Sequence, residues 1–146
     1  MSFERVLLPT DGSPGSRRAE ARAIELAAEN GGALEVIHVL EHLALPFGEH
    51  ADALQQTLAS EAEAFVGEVV ERARDAGVRE ASWTVTKGRP HESIVGTAED
   101  RGCDLVVMGT HGRAEHDPYV LGSVTARVLQ HSPVEVLVVP TRGTGR

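Results

Sequence analysis

Residues 104–125 read "DLVVMGTHGRAEHDPYVLGSVT". The first six are an apolar run of strand length, and Gly122 to His131 keeps helical period. Between them stand Gly109 and Gly112, and then Gly122 with Ser123 and Thr125 close behind. A buried strand that gives way to a helix is the repeating unit of a parallel sheet, because parallel strands need a crossover of helical length.

The same unit recurs on both sides of this stretch. "RVLLP" (Arg5 to Pro9) is a short apolar run closed by proline, and "DGSPGS" follows with Pro14 placed to open a helix. Ala19, Ala23, Leu26 and Ala27 share one face of that helix, and Gly31-Gly32 ends it. "ALEVIHVL" (Ala33 to Leu40) is a second strand, and a loop with Pro46 and Gly48 leads onward. Leu54, Leu58, Ala62, Phe65, Val69 and Ala73 then predict a long helix that Gly77 stops. "EASWTVTKG" alternates Ala81, Trp83 and Val85 with polar residues, the pattern of a half-buried edge strand. Pro90 begins a third helix that buries Ile94, Val95 and Ala98 and ends near Gly102. Pro133 stops the fourth helix, "VEVLVVP" (Val134 to Pro140) is the last strand, and residues 141–146 are a flexible tail. The expected order is βαβαβαβαβ, an open parallel sheet with helices on both faces.

The chain has 146 residues, 41% of them hydrophobic, enough for one domain with a real core. No apolar run approaches the length of a membrane span, and "MSFERVLLPTDGS" lacks the apolar stretch of a signal peptide. A cytoplasmic location is the expectation. The net charge of −8 argues against a nucleic-acid partner, which would need a basic stripe. Cys103 stands alone and is expected to be a partly buried structural thiol.

In open α/β sheets, ligands bind beyond the carboxyl ends of the strands where the winding reverses. "PTDGS", "HVLEH" and "MGTHG" follow the first, second and fourth strands there. Glycines at 109 and 112 let backbone approach a ligand, and the first amides of the helix after Gly122 attract an anion. The hydroxyls of Ser123 and Thr125 can add donors, and Asp11 suits ribose hydroxyls. On spacing alone a second reading stands beside this one: the glycines turn the chain and Ser123 caps the helix. No Walker loop, dinucleotide fingerprint or nucleophile elbow is present.

Residues 109–123 fit G-x-x-G, nine residues, then G-[ST], and here the sequence resembles the ATP-binding branch of the universal stress protein family. "RVLLPTDGS", "DLVVMGTHGR" and "LGSVTARVLQHSPVEVLVVP" are similar to that family too, so the resemblance spans nearly the whole chain. It implies a five-stranded sheet in the order 3-2-1-4-5 with ATP in the crevice. The implied contacts are Pro9, Thr10 and Asp11, Val39 beside adenine, and Met108, Gly109, His111 and Gly112. Gly122, Ser123, Val124 and Thr125 would take the phosphates. Arg113 reaches a γ-phosphate on one reading and is solvated on another. Glu115 and Asp117 depart from the neutral or basic residues that relatives tend to carry, and Mg²⁺ with the nucleotide would answer their charge.

The implied strand order puts "VEVLVV" (134–139) on an edge without Lys or internal Pro, a template for a homodimer about a twofold axis. No base-and-nucleophile pair and no lysine beside the phosphates is present, so slow ATP hydrolysis is the most that these residues suggest. The leading expectation is an ATP-binding stress-response module with an unknown protein partner. The alternatives are a nucleotidyl or phosphoryl transferase on the same cradle, and an interaction module without nucleotide. A protein-only metal site is not expected from the seven histidines. Glu20, Glu25 and Glu29 are expected to form a solvated helix face.

Overall fold

The computed structural model of the chain describes residues 3–41, 48–111 and 121–141. In chain order they form β1 (Arg5–Pro9), α1 (Arg17–Asn30), β2 (Ala33–Leu40), α2 (Gly48–Asp75) and β3 (Glu80–Lys87). Then come α3 (Pro90–Asp100), β4 (Leu105–Gly109), α4 (Ser123–His131) and β5 (Glu135–Val139). A single 3-10 turn at Pro14–Ser16 leads into α1.

All pairings are parallel, and the strand order is β3-β2-β1-β4-β5, as expected. β1 and β4 are apolar on both faces because both faces are covered. Val6, Leu8, Leu34, Val36, Leu105 and Val107 pack with Ala19, Ala23 and Ala27 of α1 and Val66, Val69 and Ala73 of α2. On the other face Leu7, Ile37, Val106 and Met108 meet Ile94 and Ala98 of α3 and Val128 of α4. The crossovers after β1 and β2 thus take one side of the sheet, and those after β3 and β4 take the other. The winding reverses between β1 and β4.

Several local expectations change. Gly48, expected in a loop, is the first residue of α2. Leu54 is exposed because the fully covered side of α2 begins only at Ala62. Ile24 rather than Leu26 completes the buried arc of α1. Trp83 is 41% exposed: it stands on the edge strand, where nothing lies beyond it to close over the ring. Gly31 ends α1 in the left-handed conformation at φ 65°, the usual helix C-cap geometry. Cys103 is buried, and burial, with Glu35 adding to it, pushes its thiol up to about 11. It is a packing residue with no thiolate at neutral pH.

One carboxylate sits within a buried strand. Glu35, in the middle of β2, is 6% exposed. It accepts from Arg5 at 3.1 Å, from Arg101 at 2.8 Å and from Ser82 at 3.1 Å. Three elements therefore converge on it. Both guanidiniums reach solvent, which lowers the cost of losing their partner below that of a sealed pair. Glu35→Ala should cost about 2 kcal/mol in urea unfolding, the range for a charged hydrogen-bond acceptor removed from a half-wet site. A change within experimental error would show that the two arginines solvate freely.

Candidate functional site

The carboxyl end of β1 is held in place by contacts to every side. Thr10 donates its N–H to Ile37 O at 3.0 Å, at the end of the β1–β2 ladder. Its own carbonyl accepts from His38 Nδ1 at 2.8 Å, so that nitrogen carries the ring proton. Asp11, half-buried, takes the Ser13 N–H on Oδ1 at 2.9 Å and closes an Asx turn. Gly12 sits at φ 75°, and a Cβ there would lie 2.6 Å from the ring of Phe65 on α2. Phe65 also meets His38 edge-on, with centroids 5.0 Å apart. The conformation of this turn and the position of α2 are thus set together.

The end of β4 is tied to its neighbours in a similar way. Thr110 donates to Val139 O at 3.1 Å, and Gly122 donates to Thr110 O at 2.8 Å. The Thr125 hydroxyl donates to Gly109 O at 2.8 Å. These two bonds hold the start of α4 against the strand end. Gly122 is the N-cap, at φ −59° and ψ 149°, and the first helical bond runs from Ala126 to its carbonyl. The amides of Ser123, Val124 and Thr125 therefore have no partner within the helix. His111 Nδ1 lies 3.0 Å from Thr110 Oγ1 and 3.4 Å from Thr141 Oγ1. Thr141, placed in the tail by sequence, is hydrogen-bonded to Thr110; residues 142–146 lie outside the described residues.

The expected site residues that fall within the described residues can be placed. Continuing the β1–β4 register sets Pro9 level with Met108, and the β1–β2 register sets Asp11 level with Val39. Val39 and Val124 are partly buried, packed against the cluster that holds Met108. Ser123 is exposed at the mouth of α4, and Thr125 is buried with its proton committed to Gly109 O. Gly109 does not use a left-handed φ; its lack of a Cβ instead makes room for Thr141 Cγ2, which a Cβ would approach to 2.9 Å. Gly112, Arg113, Glu115 and Asp117 lie outside the described residues.

The expectation that Glu20 belongs to a solvated face is corrected. Glu20 is 3% exposed, and its carboxylate lies under the β1 loop, bonded to Thr10 and to Arg72. The signal was present: Glu20, Ala23, Ile24 and Ala27 follow the i, i+3, i+4, i+7 spacing of one buried arc. Arg72 reaches across from α2 to pair with Glu20. A shallow depression outside α2, lined by residues such as Gly67, Glu71, Arg72 and Trp83, lies away from these strand ends.

The sequence profile of the universal stress protein family matches residues 2–140. The chain belongs to that family. Universal stress protein MJ0531 of Methanocaldococcus jannaschii is 31% identical over 140 residues, which cover 94% of this chain and 82% of the relative. A universal stress protein of Thermus aquaticus is 35% identical over 141 residues, 94% of this chain and 98% of that one. Among solved structures, MJ0577 of Methanocaldococcus jannaschii matches with a TM-score of 0.84 at 27% identity, covering 99% of this chain and 100% of the other. A universal stress protein in complex with cAMP matches with a TM-score of 0.71 at 28% identity, covering 97% and 100%. Among the described residues of this universal stress protein, no helix is long and apolar enough to cross a membrane, and no group of three or more potential metal-ligating side chains converges.

Gly12→Ala puts a methyl group into the Phe65 ring at a backbone angle that costs an L-residue about 1–2 kcal/mol. The melting midpoint should fall by several degrees, and the His38 ring resonances should move with the displaced Phe65. An unshifted His38 spectrum would mean that the turn and α2 adjust independently.

Proposed function

We propose that this universal stress protein binds ATP at the β1/β4 switch point, and that nucleotide occupancy sets its conformation or its choice of protein partner. The observation that carries this reading is the anchoring of the α4 N-terminus to the end of β4 by Gly122 and Thr125. In this reading the α4 amides that have no partner within the helix would face the crevice, where the helix dipole favours phosphate. The other elements fit an adenine nucleotide. Val39, Met108 and Val124 would offer an apolar wall for a base, and a carboxylate such as that of Asp11 is the kind of acceptor that ribose hydroxyls need. A structural relative binds cAMP, which has the same base and sugar. The proposed contacts are Pro9, Thr10, Asp11, Val39, Met108, Gly109, His111, Gly112, Arg113, Gly122, Ser123, Val124 and Thr125. A Mg²⁺ ion could accompany the triphosphate, with Asp117 as a candidate oxygen ligand. Residues 1–146 would act as one nucleotide-binding unit in the cytoplasm.

Anion-exchange chromatography of the supernatant from denatured protein should show ATP or AMP in near-stoichiometric amount. Gly122→Val should abolish ATP binding in calorimetry with an unchanged circular dichroism spectrum. Any residue can adopt the backbone angles of Gly122, so the loss would come from a side chain placed before the α4 amides. Unchanged affinity in the folded variant would remove the phosphate cradle. Turnover within seconds in the presence of a second substrate would favour a transferase instead.

A homodimer through β5 is the second part of the proposal. β5 is an edge strand whose valines and leucine are only half covered, and Leu129 of α4 is 44% exposed. The Val139 carbonyl faces β4, where it accepts from Thr110. By alternation, the peptide groups of Val136 and Val138 point to the open edge. Val136→Pro therefore deletes an outward donor and leaves the β4 ladder intact. Light scattering at micromolar concentration should give a dimer for the wild type and a monomer for this variant. A wild-type monomer would dispose of the edge pairing.

A further inference from the structure

Among the described residues, Glu20 is the one buried carboxylate that touches the loop carrying Asp11. Its Oε2 accepts from Thr10 Oγ1 at 2.6 Å, the short distance of a charge-assisted bond. The Ser16 hydroxyl lies 2.9 Å from the same oxygen and 2.7 Å from Ser13 O, with one proton to share. Oε1 accepts from Arg72 Nη2 at 2.8 Å, with Arg17 Nε at 3.9 Å. The chain of bonds continues into the turn, because Gly12 N–H donates to Thr10 Oγ1 at 3.2 Å. Arg72, Glu20, Thr10 and Gly12 form one line from the surface of α2 to the backbone beside Asp11.

A second clamp comes from the same helix. Phe65 lies seven residues before Arg72, two turns away on one face of α2. It fills the space beside Gly12 and packs on His38, which holds the Thr10 carbonyl. Helix α2 therefore grips the β1 loop at two points. One grip is apolar and closed. The other is an ion pair whose arginine side chain is 42% exposed and whose glutamate side chain is 4% exposed.

We propose that Glu20 is a positioning residue for the nucleotide loop, and that Arg72 sets how firmly α2 holds that loop in its ligand-competent shape. This rests on the reading of the site as nucleotide-binding. Removing Arg72 leaves a buried carboxylate facing Thr10 with one strong partner fewer, which favours movement of Thr10 and of the turn behind it. Events on the outer side of α2, where Arg72 emerges, would then reach the ligand through a single bond line. Glu20 and Arg72 need not touch the nucleotide for this coupling to operate.

The experiment compares wild type with Arg72→Met, Arg72→Lys and Glu20→Gln. Two quantities are read: ATP affinity by calorimetry, and amide hydrogen exchange at Gly12 and Ser13 in the free protein. Arg72→Met should weaken ATP binding about five- to tenfold and accelerate Gly12 exchange, the scale expected for coupling through a remote network. Arg72→Lys, which keeps a cation, should return to within about twofold of wild type, since the ion pair rather than the arginine stem is what acts. Glu20→Gln should lose at least as much as Arg72→Met. If that variant does not fold, the Arg72 pair decides, because an exposed arginine can be replaced without opening the core. Equal ATP affinity in wild type and Arg72→Met would overturn the proposal. So would equal losses for Met and Lys, or unchanged exchange at Gly12. A wild type that binds no ATP would instead overturn the nucleotide reading, and the exchange rates would still show whether Glu20 and Arg72 fix the turn.

Discussion

Strand β1 lies between β2 and β4, parallel to both, and the chain winds in opposite senses on its two sides. No loop can bridge the carboxyl ends of β1 and β4, because the crossovers leave toward opposite faces of the sheet. A crevice is therefore left at this seam, and what fills its rim follows from it. The β1 loop must turn sharply to enter α1, which requires the left-handed Gly12 and the Asx turn of Asp11. The β4 end must hand over to α4, which Gly122 and Thr125 hold against the strand. In the proposed reading, acceptors on one lip and helix amides on the other would give the complementarity that a sugar phosphate needs.

A turn at a crevice has few apolar contacts of its own, so its shape must come from polar anchors or from neighbouring elements. Here it has both. Phe65 supplies shape by exclusion, since its ring fills the space that a side chain at position 12 would need. Glu20 supplies it by attraction. Burying a carboxylate carries a desolvation penalty of several kcal/mol, and it persists only where the acceptor oxygens are filled. Among the described residues no buried side-chain polar atom lacks a hydrogen-bond partner, and at Glu20 the partners are Thr10, Ser16 and Arg72.

The sheet was legible in the sequence because its central strands are covered on both faces and show as unbroken apolar runs bounded by proline and glycine. The strand order was legible only through family resemblance: the alternation of strands and helices gives a parallel sheet but does not say which strand is central. The glycines of the site could be seen but not interpreted fully. Gly109 makes room for Thr141, thirty-two positions along the chain, and no local pattern announces that contact. Glu20 shows how composition misleads. Its helix carries Arg17, Arg18, Arg22, Glu25 and Glu29, so one more charge looks like one more solvated group. Only its phase, in line with Ala23, Ile24 and Ala27, separates it from the others. Glu35 could have been suspected on similar grounds, as a lone carboxylate within "ALEVIHVL", where a buried strand tolerates a charge only if it is paired.

The two buried carboxylates differ in a way that bears on function. Glu35 has two guanidiniums, Arg5 and Arg101, within 3.1 Å, and a serine hydroxyl besides. Loss of either arginine leaves the other in place, so the charge remains matched and the strands it joins stay put. Glu20 has one close guanidinium, and the next cation stands off at 3.9 Å. Its balance can be changed at one exposed side chain. Redundant pairing suits a joint between strands that should never move, and single pairing suits a joint that an outside event can loosen. In this fold the redundant pair ties strands β1, β2 and β3 together, and the single pair lies beneath the crevice. The same chemistry, a carboxylate under a guanidinium, thus gives rigidity at one place and adjustability at the other, and the number of partners makes the difference.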